Sequence, residues 1–161
     1  EHRIDLGLVE GICRLPNLRY TTFLQDELVA VVHTGSKLSL PDEITPEDLS
    51  RIPLVLRERG SGTLDVFERA LSEHNMKLSS LNVLLYLGST ESIKLFLEHT
   101  DCIGIVSIRS ISRELLSGTF RVIEIKGMPM LREFCFAQPQ GQESGLSQVL
   151  MQFAMHHNKK L

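Results

Sequence analysis

Pro53-Leu54-Val55-Leu56-Arg57-Glu58-Arg59-Gly60-Ser61-Gly62-Thr63 changes character half-way along its length. Residues 53–56 are apolar without a break, the pattern of a strand covered on both faces. Residues 57–63 are polar and rich in glycine. From Leu64 onward the apolar residues fall at Leu64, Val66, Phe67, Ala70 and Leu71, the spacing of an amphipathic helix. Strand, glycine turn and helix, in that order, open a βαβ unit. The pattern then repeats. Residues 81–87 predict a strand, Gly88-Ser89-Thr90 a turn, and Ile93, Phe96 and Leu97 the inner face of a second helix, ahead of a third strand over 103–108. Strands alternating with helices predict an α/β fold with a mostly parallel sheet, covered on both faces.

The flanks extend this reading. Residues 28–32 form an unbroken apolar run, rich in β-branched valine, between Asp26-Glu27 and Thr34-Gly35, which predicts a buried strand. Thr45-Pro46-Glu47-Asp48 starts a short helix: Thr45 can cap it, Pro46 suits the first position, and the acids favour the positive end of its dipole. Residues 4–9 read as a short buried strand ending at Glu10-Gly11, and residues 12–20 as a loop broken by Pro16-Asn17. Downstream, a short helix over 110–116 stops at Gly118, and strands follow over 120–125 and 133–137. The last helix carries Leu146, Val149, Leu150, Phe153 and Ala154 at helical spacing.

Composition narrows the function. The 161 residues suffice for one domain or a pair of small lobes, and 42% of them are hydrophobic, enough for a real core. No run approaches the ~20 apolar residues of a membrane helix. Glu1-His2-Arg3-Ile4-Asp5 is not a signal peptide, so the cytoplasm is the expected compartment. The net charge is −3 and the basic residues are scattered, so no face is expected to grip DNA. Cys13, Cys102 and Cys135 are an odd set without a CxxC pair and read as free thiols, two of them in apolar runs. His2, His33, His74, His99, His156 and His157 lack metal-ligand spacing, and no metal or cofactor is expected. There is no Gly-x-Ser-x-Gly elbow, HExxH helix or Walker lysine, and no catalytic residue is expected.

Ligands of open α/β sheets bind beyond the carboxyl ends of the strands. Two turns lie at such ends. In Arg57–Thr63 the glycines let backbone approach a ligand, Ser61 and Thr63 add hydroxyls, and Arg57 and Arg59 raise the local potential. Gly62 would open the helix there. Together these suit a carboxylate or another small anion. In the second turn Ser89 and Thr90 stand at a helix start. Glu10 and Gly11, ending the first strand, are a third candidate wall. Each feature also has a plainer explanation: the serines as ordinary helix caps, Glu10-Gly11 as a simple turn, and the arginines in surface ion pairs with Glu58 or a neighbour.

These same segments resemble the effector-binding domain of LysR-type transcriptional regulators. The residues that carry the likeness are Asp5-Leu6-Gly7-Leu8-Val9-Glu10-Gly11, Asp26-Glu27-Leu28-Val29-Ala30-Val31-Val32, Pro53 through Thr63, Leu87-Gly88-Ser89-Thr90-Glu91-Ser92-Ile93-Lys94, and Gly104-Ile105-Val106-Ser107. The resemblance runs over essentially the whole chain. It implies a fold like that of periplasmic binding proteins: two α/β lobes joined by two crossover strands, with a small effector in the cleft between them. The crossovers would fall near residues 23–27 and 131–134. Residues 26–132 would form a complete second lobe, and residues 1–25 with 133–161 a partial first lobe. A further strand-helix-strand-helix stretch, a winged helix-turn-helix and a linker helix would precede this chain in the family, so the chain reads as one cut short on that side. The resemblance also implies a dimer or tetramer of the full-length protein and DNA contact through the N-terminal domain. Two positions depart from the pattern: Leu64 stands where relatives often carry Arg, and His99-Thr100-Asp101-Cys102 replaces a glycine-containing turn.

Two rival classes share the scaffold. A solute-binding protein feeding a transporter would use the same cleft. An enzyme would need an acid/base pair, for which Thr63 and Glu10 are the candidates.

Overall fold

The computed structural model describes residues 4–10, 15–141 and 145–158. Along the chain run β1 (Gly7–Glu10), β2 (Leu18–His33), β3 (Glu43–Ile44), β4 (Leu54–Arg57), α1 (Gly62–Glu73), β5 (Val83–Leu87), α2 (Thr90–His99), β6 (Ile103–Ser107), α3 (Ser112–Leu116), β7 (Phe120–Ile125), β8 (Met130–Pro139) and α4 (Gly145–Asn158). The chain divides into two compact units, Glu27–Leu131 and Glu1–Asp26 with Arg132–Leu161. β2 and β8 each contribute residues to both.

In the larger unit β4 lies between β5 and β6 and is parallel to both, with Arg57 opposite Leu87 and Val55 opposite Gly104. α1 and α2 make the crossovers that parallel neighbours require. β2 runs the other way and pairs with β6 on one side and β7 on the other. β3 adds to β7 in parallel. The expected mostly parallel sheet is therefore present here, with β2 as the strand that opposes its neighbours.

Strand periodicity splits the core in two. Ala30 and Val32 of β2, Leu54 and Leu56 of β4, and Ile103 and Ile105 of β6 pack with Phe67 and Leu71 of α1. Val31, Val55 and Val106 point to the opposite face and pack with Ile93 and Leu97 of α2 and with Phe120. Burial on both faces is why these strands are apolar at successive positions. Gly104 sits under α2, where a Cβ would come within 2.9 Å of Ile93 Cγ2 and 3.1 Å of Leu97 Cδ1. The absent side chain lets the helix seat directly on β6. Cys102 is buried in this layer, and desolvation pushes its thiol pKa up to about 11, with the nearby Asp101 charge adding to the rise.

Short polar contacts fix the connections. Asp48 accepts hydrogen bonds from the Thr45 amide and hydroxyl at 2.9 Å each, which hold its carboxyl below the usual range. The expected short helix there is a 3-10 turn, Pro46–Ser50. Asp101 accepts from the Lys37 amide at 2.8 Å and the Ser36 hydroxyl at 2.9 Å, tying the turn after β2 to the turn before β6. Gly118 closes α3 with φ +73, a left-handed conformation that favours glycine.

In the smaller unit β1 pairs antiparallel with β8, from Gly7 opposite Ala137 to Glu10 opposite Phe134. Two expectations are corrected here, one on β1 and one on the start of β2. β1 is not a buried strand, because Leu8 is 56% exposed and Val9 is at the edge of exposure. On α4, Leu146, Val149, Leu150 and Phe153 are exposed, while Ser147 on another side of the helix is buried. β2 also begins at Leu18, inside the stretch read as loop, because the β-branched and aromatic residues after Pro16-Asn17 suit a strand. Where β2 and β8 meet this unit, Arg132 holds Asp26 through Nε and Nη2, both at 2.7 Å, and stacks over Phe134 at 4.8 Å. The Asp26 side chain is almost wholly buried. Cys135 is buried as well; Cys13 lies outside the described residues. No helix among the described residues is long and apolar enough to cross a membrane.

Candidate functional site: two adjacent helix starts

The strand ends of β4 and β5 lie side by side, and the turns that follow them are bonded to each other. The Glu58 amide donates to the Leu87 carbonyl at 3.1 Å, and Arg57 Nη2 reaches the Gly88 carbonyl at 3.4 Å. Gly60, with φ +87, reverses the chain so that Ser61 can begin α1, and the Ser61 amide donates back to the Glu58 carbonyl at 3.2 Å. The structure thus brings Arg57, Gly62, Ser89 and the two capping turns together on one unit.

Both serines are helix caps. Ser61 Oγ accepts from the Leu64 amide at 3.2 Å, and Ser89 Oγ accepts from the Ser92 amide at 3.1 Å and shares a 2.8 Å bond with Ser92 Oγ. The plainer explanation of each turn is therefore correct as far as it goes. It does not exhaust their chemistry. A hydroxyl that accepts from an amide still has its own proton to donate. The first amides of each helix also have no intrahelical acceptor, and the dipoles of α1 and α2 place partial positive charge at both starts. Ser61 and Thr63 are buried, whereas Gly62, Ser89 and Thr90 are half-buried.

The charges are more balanced than the sequence implied. Arg57 is bound by Glu58 through two hydrogen bonds of 2.8 and 3.0 Å, and that guanidinium holds the Glu58 carboxyl below its usual range. This is the ion-pair explanation weighed for Arg57. Arg59 is exposed and has no ion pair among the described residues. Asp65 and Glu91 occupy the first turns of α1 and α2. Lys94, one turn into α2, is held by Glu114 at 2.6 Å and Glu91 at 3.0 Å. Burial alone would lower its pKa, but the hydrogen bonds it donates to the two carboxylates, with their charge, outweigh this and raise it. The site offers amide and hydroxyl donors, with Arg59 as its uncommitted cation.

Glu10 belongs to the smaller unit. Its Oε1 is 3.5 Å from Arg132 Nη1 and is buried without a hydrogen bond. Gly11 lies outside the described residues. Sequence reasoning missed Arg132 and Asp26. Their signal was available: Asp26 and Arg132 carry opposite charges in the two segments expected to cross over. It also missed Lys94–Glu114, whose partners are 20 positions apart in sequence and carry no local pattern. Among the described residues no group of three or more His, Cys, Asp or Glu side chains could hold a metal ion.

The family described as the LysR substrate binding domain matches residues 1–159. The chain belongs to that family. Its relatives include the Escherichia coli K12 HTH-type transcriptional regulator YeiE, 33% identical over 125 residues that cover 78% of this chain and 41% of that protein. The HTH-type transcriptional activator CmpR of Synechocystis is 29% identical over 144 residues, covering 89% of this chain and 46% of that protein. This LysR substrate-binding domain thus spans less than half the length of the curated relatives it matches. Among solved structures, the Synechocystis CcmR regulatory domain in complex with 2-PG superposes with a TM-score of 0.81 at 25% identity, covering 98% of this chain and 74% of that one. The α/β architecture is that of LysR regulatory domains.

Proposed function

We propose that this LysR substrate-binding domain senses a small polar metabolite, most simply a carboxylate or another small anion, at the paired starts of α1 and α2. The observation that carries the reading is the hydrogen-bonded adjacency of two capped helix starts at neighbouring strand ends. Convergent amides, hydroxyls and helix dipoles form a ready anion receptor. Gly62, Ser61, Thr63, Ser89 and Thr90 would face the ligand, Arg59 would supply charge, and Arg57 would brace the two turns against each other. The CcmR regulatory domain, which superposes on this chain, is in complex with the small molecule 2-PG, in keeping with a small-molecule effector.

In the full-length regulator, ligand binding would favour one arrangement of the protein over another and so alter operator binding. DNA contact would come from a domain outside these 161 residues, the assembly would be a dimer or tetramer, and the setting would be the cytoplasm. No turnover is proposed, in keeping with relatives that are transcriptional regulators and activators.

A thermal-shift screen against small carboxylates, sulfate, phosphate, 2-PG and aromatic acids tests the reading. One compound should give a selective, saturable rise, and at a hundred-fold excess over Kd the ligand should add about 2.7 kcal/mol of stability. Thr63→Val should remove that rise, measured against the variant's own unliganded melting curve. A rise that survives both Thr63→Val and Ser89→Ala refutes the assignment. Chemical conversion of the stabilising compound would revive the enzyme reading.

A further inference from the structure

We propose that the larger unit carries a second small-molecule site, apart from the helix starts, that takes an organic cation with an apolar body. It lies where the sheet opens. β7 pairs with β2 from Phe120 opposite His33 to Ile123 opposite Ala30 and then leaves it. Glu124 and Ile125 pair instead with Glu43 and Ile44 of β3, while β2 stays with β6 as far as Leu28. Between the diverging strands is a cavity of about 530 Å³, bordered also by Ile108 and by the turn through Gly127 and Met128. That volume lies within the ~300–1,000 Å³ range of small-molecule pockets.

The lining states the chemistry of the occupant. Ala30, Ile123, Met128 and Met130 are buried apolar residues. The two thioethers can adapt to an irregular apolar group. The charged side chains on the cavity are Glu27 and Glu124, both exposed, and neither has an ion-pair partner among the described residues. A pocket of mixed polar and apolar lining, whose charged side chains are two carboxylates without an ion-pair partner among the described residues, favours an alkyl or aryl ammonium and disfavours a carboxylate. Its charge preference is thus opposite to that of the helix starts, and the two sites can be told apart by ligand sign alone.

The test uses n-hexylammonium, n-hexanol and n-hexanoate, followed by amide chemical shifts and calorimetry on the 161-residue chain. Hexylammonium should bind saturably, with shifts centred on residues 27–30 and 122–130, and hexanoate should bind at least ~10-fold more weakly. Glu27→Gln with Glu124→Gln should weaken hexylammonium by about five-fold, a modest loss suited to exposed carboxylates. Both positions are at the surface, so this variant will fold. Ser61→Ala should leave the affinity unchanged. No saturable hexylammonium binding, equal affinity for hexanol or hexanoate, shifts centred elsewhere, or indifference to the paired glutamine variant would each overturn the proposal.

Discussion

Replacing Gly104 by alanine tests how α2 is seated. An added Cβ would meet Ile93 Cγ2 at 2.9 Å and Leu97 Cδ1 at 3.1 Å, with Val55 Cγ1 at 3.5 Å behind them. All three neighbours are at 0–1% exposure. The Leu97 methyl ends a flexible side chain and can move a few tenths of an ångström. The Ile93 methyl is attached directly to its Cβ, so it can withdraw only if χ1 turns or α2 lifts. Overpacking of a closed core costs about 1–3 kcal/mol. The loss of glycine entropy in the unfolded chain returns about 0.4–1 kcal/mol. The net expectation is a destabilisation of ~1–2 kcal/mol, measured by urea unfolding followed by far-UV circular dichroism. Ile93→Leu removes the branch at Cβ, so Gly104→Ala with Ile93→Leu should be more stable than the sum of the single effects predicts. A Gly104→Ala protein as stable as the parent, or an additive double variant, would refute the close-seating explanation.

Arg132→Ala strips the guanidinium from a buried Asp26 and from Glu10, and should cost ~3–5 kcal/mol in the same assay, whereas Asp26→Asn with Arg132→Met should cost clearly less. Asp101→Asn should lower the urea midpoint at neutral pH. Because hydrogen bonds from Lys37 and Ser36 depress the folded carboxyl below 3.8, its contribution is present above that value and lost as pH falls through the folded pKa, so the gap between variant and parent should close in acid. Cys102, buried and with its pKa pushed up to about 11, should resist iodoacetamide at pH 8 until denaturant is added, as read by peptide mass spectrometry; prompt native labelling would contradict its placement.

The stretch from Leu54 to Ser107 was legible because strand, turn and helix each carry their own signal there. Leu54, Val55 and Leu56 are buried on alternate faces, and Ser61 and Ser89 announce the helices as caps. The adjacency of the two turns followed from parallel pairing of successive strands. Their electrostatics did not, because whether Arg57 faces a ligand or Glu58 depends on rotamers and not on order in the chain. β1 and α4 were legible as elements but not as to burial. Periodicity shows that Leu146, Val149, Leu150 and Phe153 share a helix face; it cannot show what, if anything, covers that face. The long β2 was hidden at its start by the Pro16-Asn17 break, even though Leu18-Arg19-Tyr20 alternates in polarity as a half-buried strand does.

The larger unit is one continuous segment, Glu27–Leu131, whereas the smaller unit joins the two ends of the chain across it. Order of synthesis and order of folding are therefore linked. The larger unit is complete once Leu131 has left the ribosome, but β1 meets Phe134 to Ala137 of β8 only after that. Bringing those segments together closes a loop of more than 100 residues, a contact of high sequence separation whose entropy is reduced once the intervening segment is compact. In pulse-labelling hydrogen exchange during refolding, the amides of β4, β6 and α1 should gain protection first and those of β1 last.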